Sequence, residues 1–322
     1  MKTVRLSLVL AMGLVPALGF AQPLGFVLNS DSASISLIDM ATHRPVGEVP
    51  VLRQPHHITR APDGRFVLVG DTVGNQILYL DPRTGRVVRR QTISDPYQLM
   101  FSPDGRLLTI TGLARNQVDI YRYDDRTGLT LWHRVPARSM PSHIAYAPDS
   151  SAVYVSLQGS NRLMAIATGT GAVLWDARVG ETPAGVLWND GALLVGLMGQ
   201  DGIAVVDPAD GQVRRMIKTG RGAHNLFFSP DDRLIYVTNR VAGTISVLDR
   251  ATLRVVRDYR VPGGPDDIEF APDGTLWITQ RFDHGVLFLD PETGRFSRVD
   301  VGRSPHGLFL NTDQTTHRTA FP

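Results

Sequence analysis

The sequence predicts an all-β fold: a seven-bladed β-propeller of four-stranded blades, with the last blade closed by N-terminal and C-terminal strands together. Three observations predict it. A Pro or Ala opens each repeat, at Pro55, Pro96, Pro141, Pro183, Ala223, Pro265 and Pro305, with spacings of 40 to 45 residues. The first six units share one turn: Pro62-Asp63-Gly64, Pro103-Asp104-Gly105, Pro148-Asp149-Ser150, Asn189-Asp190-Gly191, Pro230-Asp231-Asp232 and Pro272-Asp273-Gly274. Each unit holds four short apolar runs, and a fixed period near 40 with four strands per unit is the signature of a propeller. Between breakers, no window of about ten residues or more carries a 3.6-residue apolar period, so a helical repeat does not fit.

Unit five shows the elements in order. Residues 226–229 form the first run and end at the turn Pro230-Asp231-Asp232. Residues 234–238 form the second, 244–248 the third and 254–261 the fourth, with breaks at 239–243 and 249–252. The runs are rich in Val, Ile, Leu, Phe and Tyr, and the breaks hold Pro, Asp, Asn and Gly, which reads as strands joined by tight turns. A second turn, between the third and fourth runs, recurs at residues 81–85, 168–171, 207–211 and 290–294.

Residues 1–21 read as a secretory signal peptide. Lys2 and Arg5 give a positive start, residues 6–18 an apolar stretch, and Gly19-Phe20-Ala21 a small-residue cleavage site before Gln22. The expected product is a periplasmic or secreted chain forming a single propeller domain over residues 22–322. The apolar stretch falls short of the ~20 residues of a spanning helix, so no membrane span is expected after signal removal. The chain has no Cys. Disulfides, a thiol nucleophile, a lipid-bearing cysteine and a covalently attached c-type haem are therefore excluded. The 33 basic and 31 acidic side chains become 31 of each without Lys2 and Arg5. Bulk charge thus gives no steering toward nucleic acid or membrane, and a monomer is expected.

After the signal, the chain begins in mid-unit. Residues 25–29, 34–39 and 44–51 match the second, third and fourth strands of a blade. The missing first strand stands at the far end, as Pro305-His306-Gly307-Leu308-Phe309-Leu310. Closing one blade from both ends removes sheet edges that would otherwise invite aggregation. Residues 311–322 are polar and read as a strap.

Tyr236-Val237-Thr238-Asn239 ends the second run of unit five, and Thr244-Ile245-Ser246-Val247-Leu248-Asp249 follows. With the Pro-x-x-Ile/Leu starts and the Pro-Asp-Gly turns, this pattern resembles the YVTN family of seven-bladed propellers over nearly all of residues 25–310. The resemblance implies the fold. For function it implies only a range, since one propeller hosts many activities: periplasmic binding propellers, lactonase-like and streptogramin-lyase-like enzymes, and the haem propeller of dissimilatory nitrite reductases. The sequence shows the full motif of none of those enzymes.

Chemistry concentrates at the blade starts, where loops on a rigid scaffold open around the channel. The residue after each opening Pro or Ala is His56, Tyr97, Ser142, Ala184, His224, Asp266 and His306 in turn. The next is His57, Gln98, His143, Gly185, Asn225, Asp267 and Gly307. Five of the nine His fall in these positions. The candidate ligand-binding set is therefore His56, His57, Tyr97, Gln98, His143, His224, Asn225, Asp266, Asp267 and His306. Imidazoles beside carboxylates bind metal ions or move protons, and His224, Asp266, His306 and His56, on four consecutive blades, are the candidate metal ligands. Positions opposed across the channel are expected to lie too far apart to share an ion. The plainer alternative is that polar residues here cap backbone groups.

Arginines gather on the same face: Arg53, Arg221 and Arg303 before the first strands, and Arg115, Arg162, Arg240 and Arg281 after the second. Arg suits carboxylate or phosphate, so an anion-binding rim is expected. Pairing with Asp71, Asp95, Asp201 or Asp283 is the alternative. Gly-x-Ser-x-Gly, Walker and His-Glu-x-x-His motifs are absent. Trp132, Trp175, Trp188 and Trp277 read as interblade core, and His284 could join the cluster.

Three readings follow. The first is a non-catalytic scaffold that binds a small anionic ligand or another periplasmic protein at the channel mouth. The second is a metal-assisted lyase or lactonase-like enzyme using His and carboxylate groups with a divalent metal. The third is a haem or tetrapyrrole carrier with a channel His as axial ligand. Metal analysis separates the second, and a visible absorption band the third.

Overall fold

The computed structural model describes residues 23–312. The signal-peptide reading, and the strap beyond Thr312, lie outside the described residues. The described residues hold 28 strands in seven four-stranded antiparallel sheets. The innermost strands of blades one to seven are Pro55–Arg60, Gln98–Phe101, Pro141–Tyr146, Pro183–Asn189, Ala223–Phe228, Pro265–Phe270 and Pro305–Leu310. No helix among the described residues is long and apolar enough to cross a membrane.

Burial falls from the channel outward, as the sequence dictates. In blade five, Leu234–Asn239 and Thr244–Asp249 are almost wholly buried, and the outer strand Val255–Arg260 is exposed except at Tyr259. The turns explain the recurrent Pro-Asp-Gly. Gly64, Gly105 and Gly274 take φ of 70°, 70° and 86°, and Ser150 and Asp232 at the same place take 63° and 56°. The turn requires a left-handed residue, which Gly adopts without steric cost. Blade two is longer because its outer hairpin, Gln117–Asp124 with Gly128–Pro136, extends further than the others.

The seventh blade is built from both ends. Its strand order is Pro305–Leu310, Leu24–Asn29, Ser34–Asp39, Arg44–Pro50. Phe26 pairs with Phe309, and Val27 with Leu308. The core lies between blades. Phe26, Leu28 and Ile35 of blade seven pack on Ile58, Val69 and Leu78 of blade one. On its other side, Val27, Leu308 and Leu310 pack on Trp277 and Phe288 of blade six. Trp277 is wholly buried, and Trp175 and Trp188 pack on the cluster around Tyr154. Trp132 departs from the expected core role: it is exposed, with Arg122 stacked 3.5 Å from its ring centroid.

The upper loops are held by carboxylates. Asp71, wholly buried, accepts from the backbone amides of Leu52, Arg53, Gln54 and Gly74 and from Gln76 Nε2. Asp95 accepts from the amides of Ala114 and Arg115. These two thus fasten backbone rather than pair with the rim arginines. Asp71→Ala strands several amides at once, and at ~1 kcal/mol or more per lost bond it is expected to cost about 3 kcal/mol, read as a lowered urea midpoint at unchanged slope.

Candidate functional site

The site is made by a backbone irregularity. In five blades the register slips by one residue at the start of the inner strand: between Pro55 and Ile58, Pro141 and Ile144, Pro183 and Val186, Ala223 and Leu226, and Pro265 and Ile268. Blade seven slips likewise opposite Asn29 and Val27. An extra residue on one strand is a β-bulge, which leaves the ladder and re-aims side chains. The two bulged residues are the two positions carrying the histidines. This corrects the expectation of an open loop at the mouth: in blade five the strand begins at Ala223 rather than at 226, and His224 lies within it.

The bulges gather five imidazoles and one carboxylate inside the channel. His56, His57, His143, His224 and His306 are each at most 7% exposed, and Asp266 is 0%. Ring centroids of His56 and His306 are 3.8 Å apart, His57 and His306 4.6 Å, and His57 and His143 5.5 Å. His143 meets His224 at 5.0 Å, from two blades away. Ring contact thus extends beyond neighbouring blades, because fully inward side chains narrow the channel to contact distance. His57 and His143, expected only as ligand contacts, join the metal-ligand candidates in one cluster.

Two triads of ligand atoms lie within 4.8 Å of one another: His56, His57 and His306, and His224, Asp266 and His306. The ring of His306 belongs to both, and neither of its nitrogens has a hydrogen-bond partner. His57 Nδ1 lies 2.8 Å from the Tyr97 carbonyl and 2.8 Å from His56 Nδ1. A carbonyl only accepts, so this nitrogen carries the proton and Nε2 keeps the lone pair; that Nε2 is buried without a partner. His143 Nε2 is also buried and unpartnered.

Asp266 supplies the negative charge. Arg240 Nε donates to its Oδ1 at 2.7 Å, and Arg240 Nη2 donates to the same oxygen. His224 Nδ1 is 2.9 Å from Oδ1 without the alignment of a hydrogen bond, His306 Nε2 is 3.7 Å from Oδ2, and Arg281 Nη1 is 3.8 Å from Oδ2. Burial alone would raise this carboxyl's pKa, but Arg240, with His224 and Arg281, carries it below the usual carboxylate range. Burial pushes all five imidazoles down, His57 to about 3 and His224 to about 4. At neutral pH the cluster is therefore five neutral imidazoles with lone pairs enclosed by protein.

Hydroxyls fix the backbone of these residues. Thr238 Oγ1 donates to the Asp266 carbonyl at 3.1 Å, and Thr279 Oγ1 to the His306 carbonyl at 3.0 Å. Thr111 Oγ1 donates to the Ser142 carbonyl at 2.7 Å. Each comes from the second strand of the preceding blade. The sequence reading missed this role, although the hydroxyl recurs beside the strand-ending position. Blade four contributes no polar group: Ala184 fills the first position, and at the second a Cβ on Gly185 would stand 2.7 Å from the His224 carbonyl.

The other expected residues divide. Tyr97 packs on His56, with ring centroids 4.1 Å apart, and joins the cluster. Gln98 is buried, and its amide donates to Thr111 Oγ1. Asn225 and Asp267 take structural roles, accepting from the amides of Leu226, and of Ile268 and Leu308. Of the rim, only Arg240 and Arg281 turn inward. Arg53, Arg115, Arg221 and Arg303 are exposed, Arg303 donating to the Asp31 carbonyl, and Arg162 bonds Asp176 on the next strand. His284 accepts from the Ser304 amide and stays outside the cluster.

A ring of seven blades, closed by its two ends and carrying a buried imidazole–carboxylate cluster in its channel, defines the class as a seven-bladed β-propeller. The chain belongs to the YNCE-like β-propeller family, whose model matches residues 7–316. It is 31% identical over 80 residues to the uncharacterized protein YncE of Salmonella typhimurium, a match covering 24% of this chain and 22% of that one. The matched stretch thus spans about a fifth of that relative's length. Among solved structures, it resembles the periplasmic gluconolactonase PpgL of Pseudomonas aeruginosa, with a TM-score of 0.71, 20% identity, and 90% and 99% of the two chains covered. It also resembles the dihydro-heme d1 dehydrogenase NirN, solved in complex with DHE, with a TM-score of 0.67, 15% identity, and 89% and 74% covered. At these identities the likeness shows the fold.

Proposed function

We propose that this chain is an exported binding propeller whose channel cluster holds one divalent transition-metal ion. One observation carries the reading: the Nδ1 proton of His57 is turned onto a backbone carbonyl, leaving a buried Nε2 lone pair beside His306, whose two nitrogens are both unpartnered. An unpaired buried polar group costs about 1–3 kcal/mol, and a carbonyl that orients the far side of an imidazole is the usual outer partner of a metal ligand. Neutral imidazoles with one carboxylate suit zinc, copper, nickel or iron. Ligand atoms on one tetrahedral zinc stand about 3.4 Å apart, given bonds of ~2.0–2.1 Å, so small ring rotations from 4.8 Å suffice to close a triad.

The same geometry weighs against the other readings. An imidazole pushed far below pH 7 is poorly matched to acid–base work at neutral pH, which favours binding over a lyase or lactonase-like reaction. Rings packed at 3.8–4.1 Å leave no slot between them for a tetrapyrrole. Calorimetric titration of metal-free protein with zinc tests the proposal. One equivalent should bind, His306→Ala should weaken it at least a hundredfold, and the purified protein should show no visible haem band. Absence of zinc and copper binding would overturn it. Export is proposed on residues 1–21, and N-terminal sequencing should find Gln22, or a blocked terminus from its cyclisation; Met1 on the mature protein would refute it.

A further inference from the structure

The cluster is not balanced in charge. The charged side chains that weigh most on its imidazoles are Arg240, Arg281 and Asp266. Among these three groups two guanidiniums stand against one carboxylate, in surroundings where charge is weakly screened. Arg240 engages Asp266 through Nε and Nη2, and its remaining Nη1 has only the Met198 sulfur, 3.8 Å away. Arg281 Nη1 is buried without an acceptor. The two side chains keep 17% and 21% of their surface exposed, whereas Asp266 keeps none. Part of each arginine side chain thus reaches solvent.

We infer that a small oxyanion, a carboxylate or a phosphate, binds at the channel mouth on Arg281 and the unused edge of Arg240, as the counter-ion of the cluster. A guanidinium presents paired donors that match either group. This binding centre is narrower than the seven-arginine rim, because the other five side chains are exposed or tied to neighbouring groups. A metal ion beneath would add positive charge, so anion and metal should tighten one another reciprocally. That coupling rests on the metal reading above; the anion site itself stands on the charge and geometry of the two arginines.

The test is the thermal response of the mature chain to phosphate and to acetate, each against sodium chloride at matched ionic strength, with and without one equivalent of zinc. The wild type should gain melting temperature with at least one of the two anions, and the one that binds more tightly identifies the chemistry. Arg281→Gln should weaken that response about tenfold, while Arg281→Lys, which keeps the charge but loses the fork, should recover part of it. Arg281 is chosen because removing Arg240 would leave Asp266 buried and unpaired. A response that is equal in wild type and Arg281→Gln, or that chloride reproduces, overturns the anion site. If the response depends on Arg281 but zinc does not bind, the anion site stands and the metal reading falls. If zinc binds and the anions ignore Arg281, the reverse holds.

Discussion

Deleting the chain from Ser304 onward is expected to unfold the whole ring. The strand Pro305–Leu310 is the innermost of blade seven and is buried along its length. Its loss removes Leu308, Phe309 and Leu310 from contacts with blades six, seven and one. At ~1.5–3 kcal/mol per buried side chain, about 5–9 kcal/mol of burial goes, before the ladder bonds to Leu24–Asn29 are counted. That is comparable with the whole stability of a typical domain, about 5–15 kcal/mol. Circular dichroism melts should show no cooperative transition, and sizing should show aggregates from the freed edges. A soluble monomer with an unchanged melting temperature would contradict the split blade.

The metal-free protein is expected to lose stability steeply as pH falls below about 6.5. The sign follows from the depressed imidazoles. Each takes a proton in the unfolded chain near the ordinary His value of ~6.5, while the folded chain resists down to about 4 at His224 and about 3 at His57. Stability is therefore greatest above the unfolded value and is lost as pH falls through this window. One proton taken up on unfolding contributes ~1.4 kcal/mol per pH unit, so five give a slope approaching ~7 kcal/mol per pH unit. Carboxylates lowered by their turn hydroxyls, such as Asp39 and Asp290, act only below about pH 4. Urea melts at pH 8, 6.5 and 5.5 would read the slope. A flat profile between pH 7 and 5 would show that the imidazoles are not held neutral.

The blades were legible because a propeller repeats its backbone problem, and Pro-Asp-Gly turns with alternating apolar runs announce each solution. The split blade followed because residues 25–51 and Pro305–Leu310 each supplied part of a unit. The cluster was legible as positions, not as geometry. The extra residue of the bulge carries no sequence signal of its own, so His56 and His57 read as loop residues at the channel mouth, whereas both are buried within the inner strand. Contact between His143 and His224 depends on channel width, set by side chains from all blades at once. The arginines divided by their distance from the strand end. Arg240 and Arg281 directly follow the second strands of blades five and six, at Asn239 and Gln280, and reach Asp266, whereas Arg115 lies three residues beyond Gly112 and turns outward.

The most direct test of the central claim is X-ray absorption at the zinc edge of the protein loaded with one equivalent. The account predicts a first shell of at least three imidazole nitrogens at ~2.0–2.1 Å, with one or more lost in His57→Ala and in His306→Ala. A shell of oxygen alone, or one that neither substitution changes, would place the metal elsewhere and leave the channel histidines as packing.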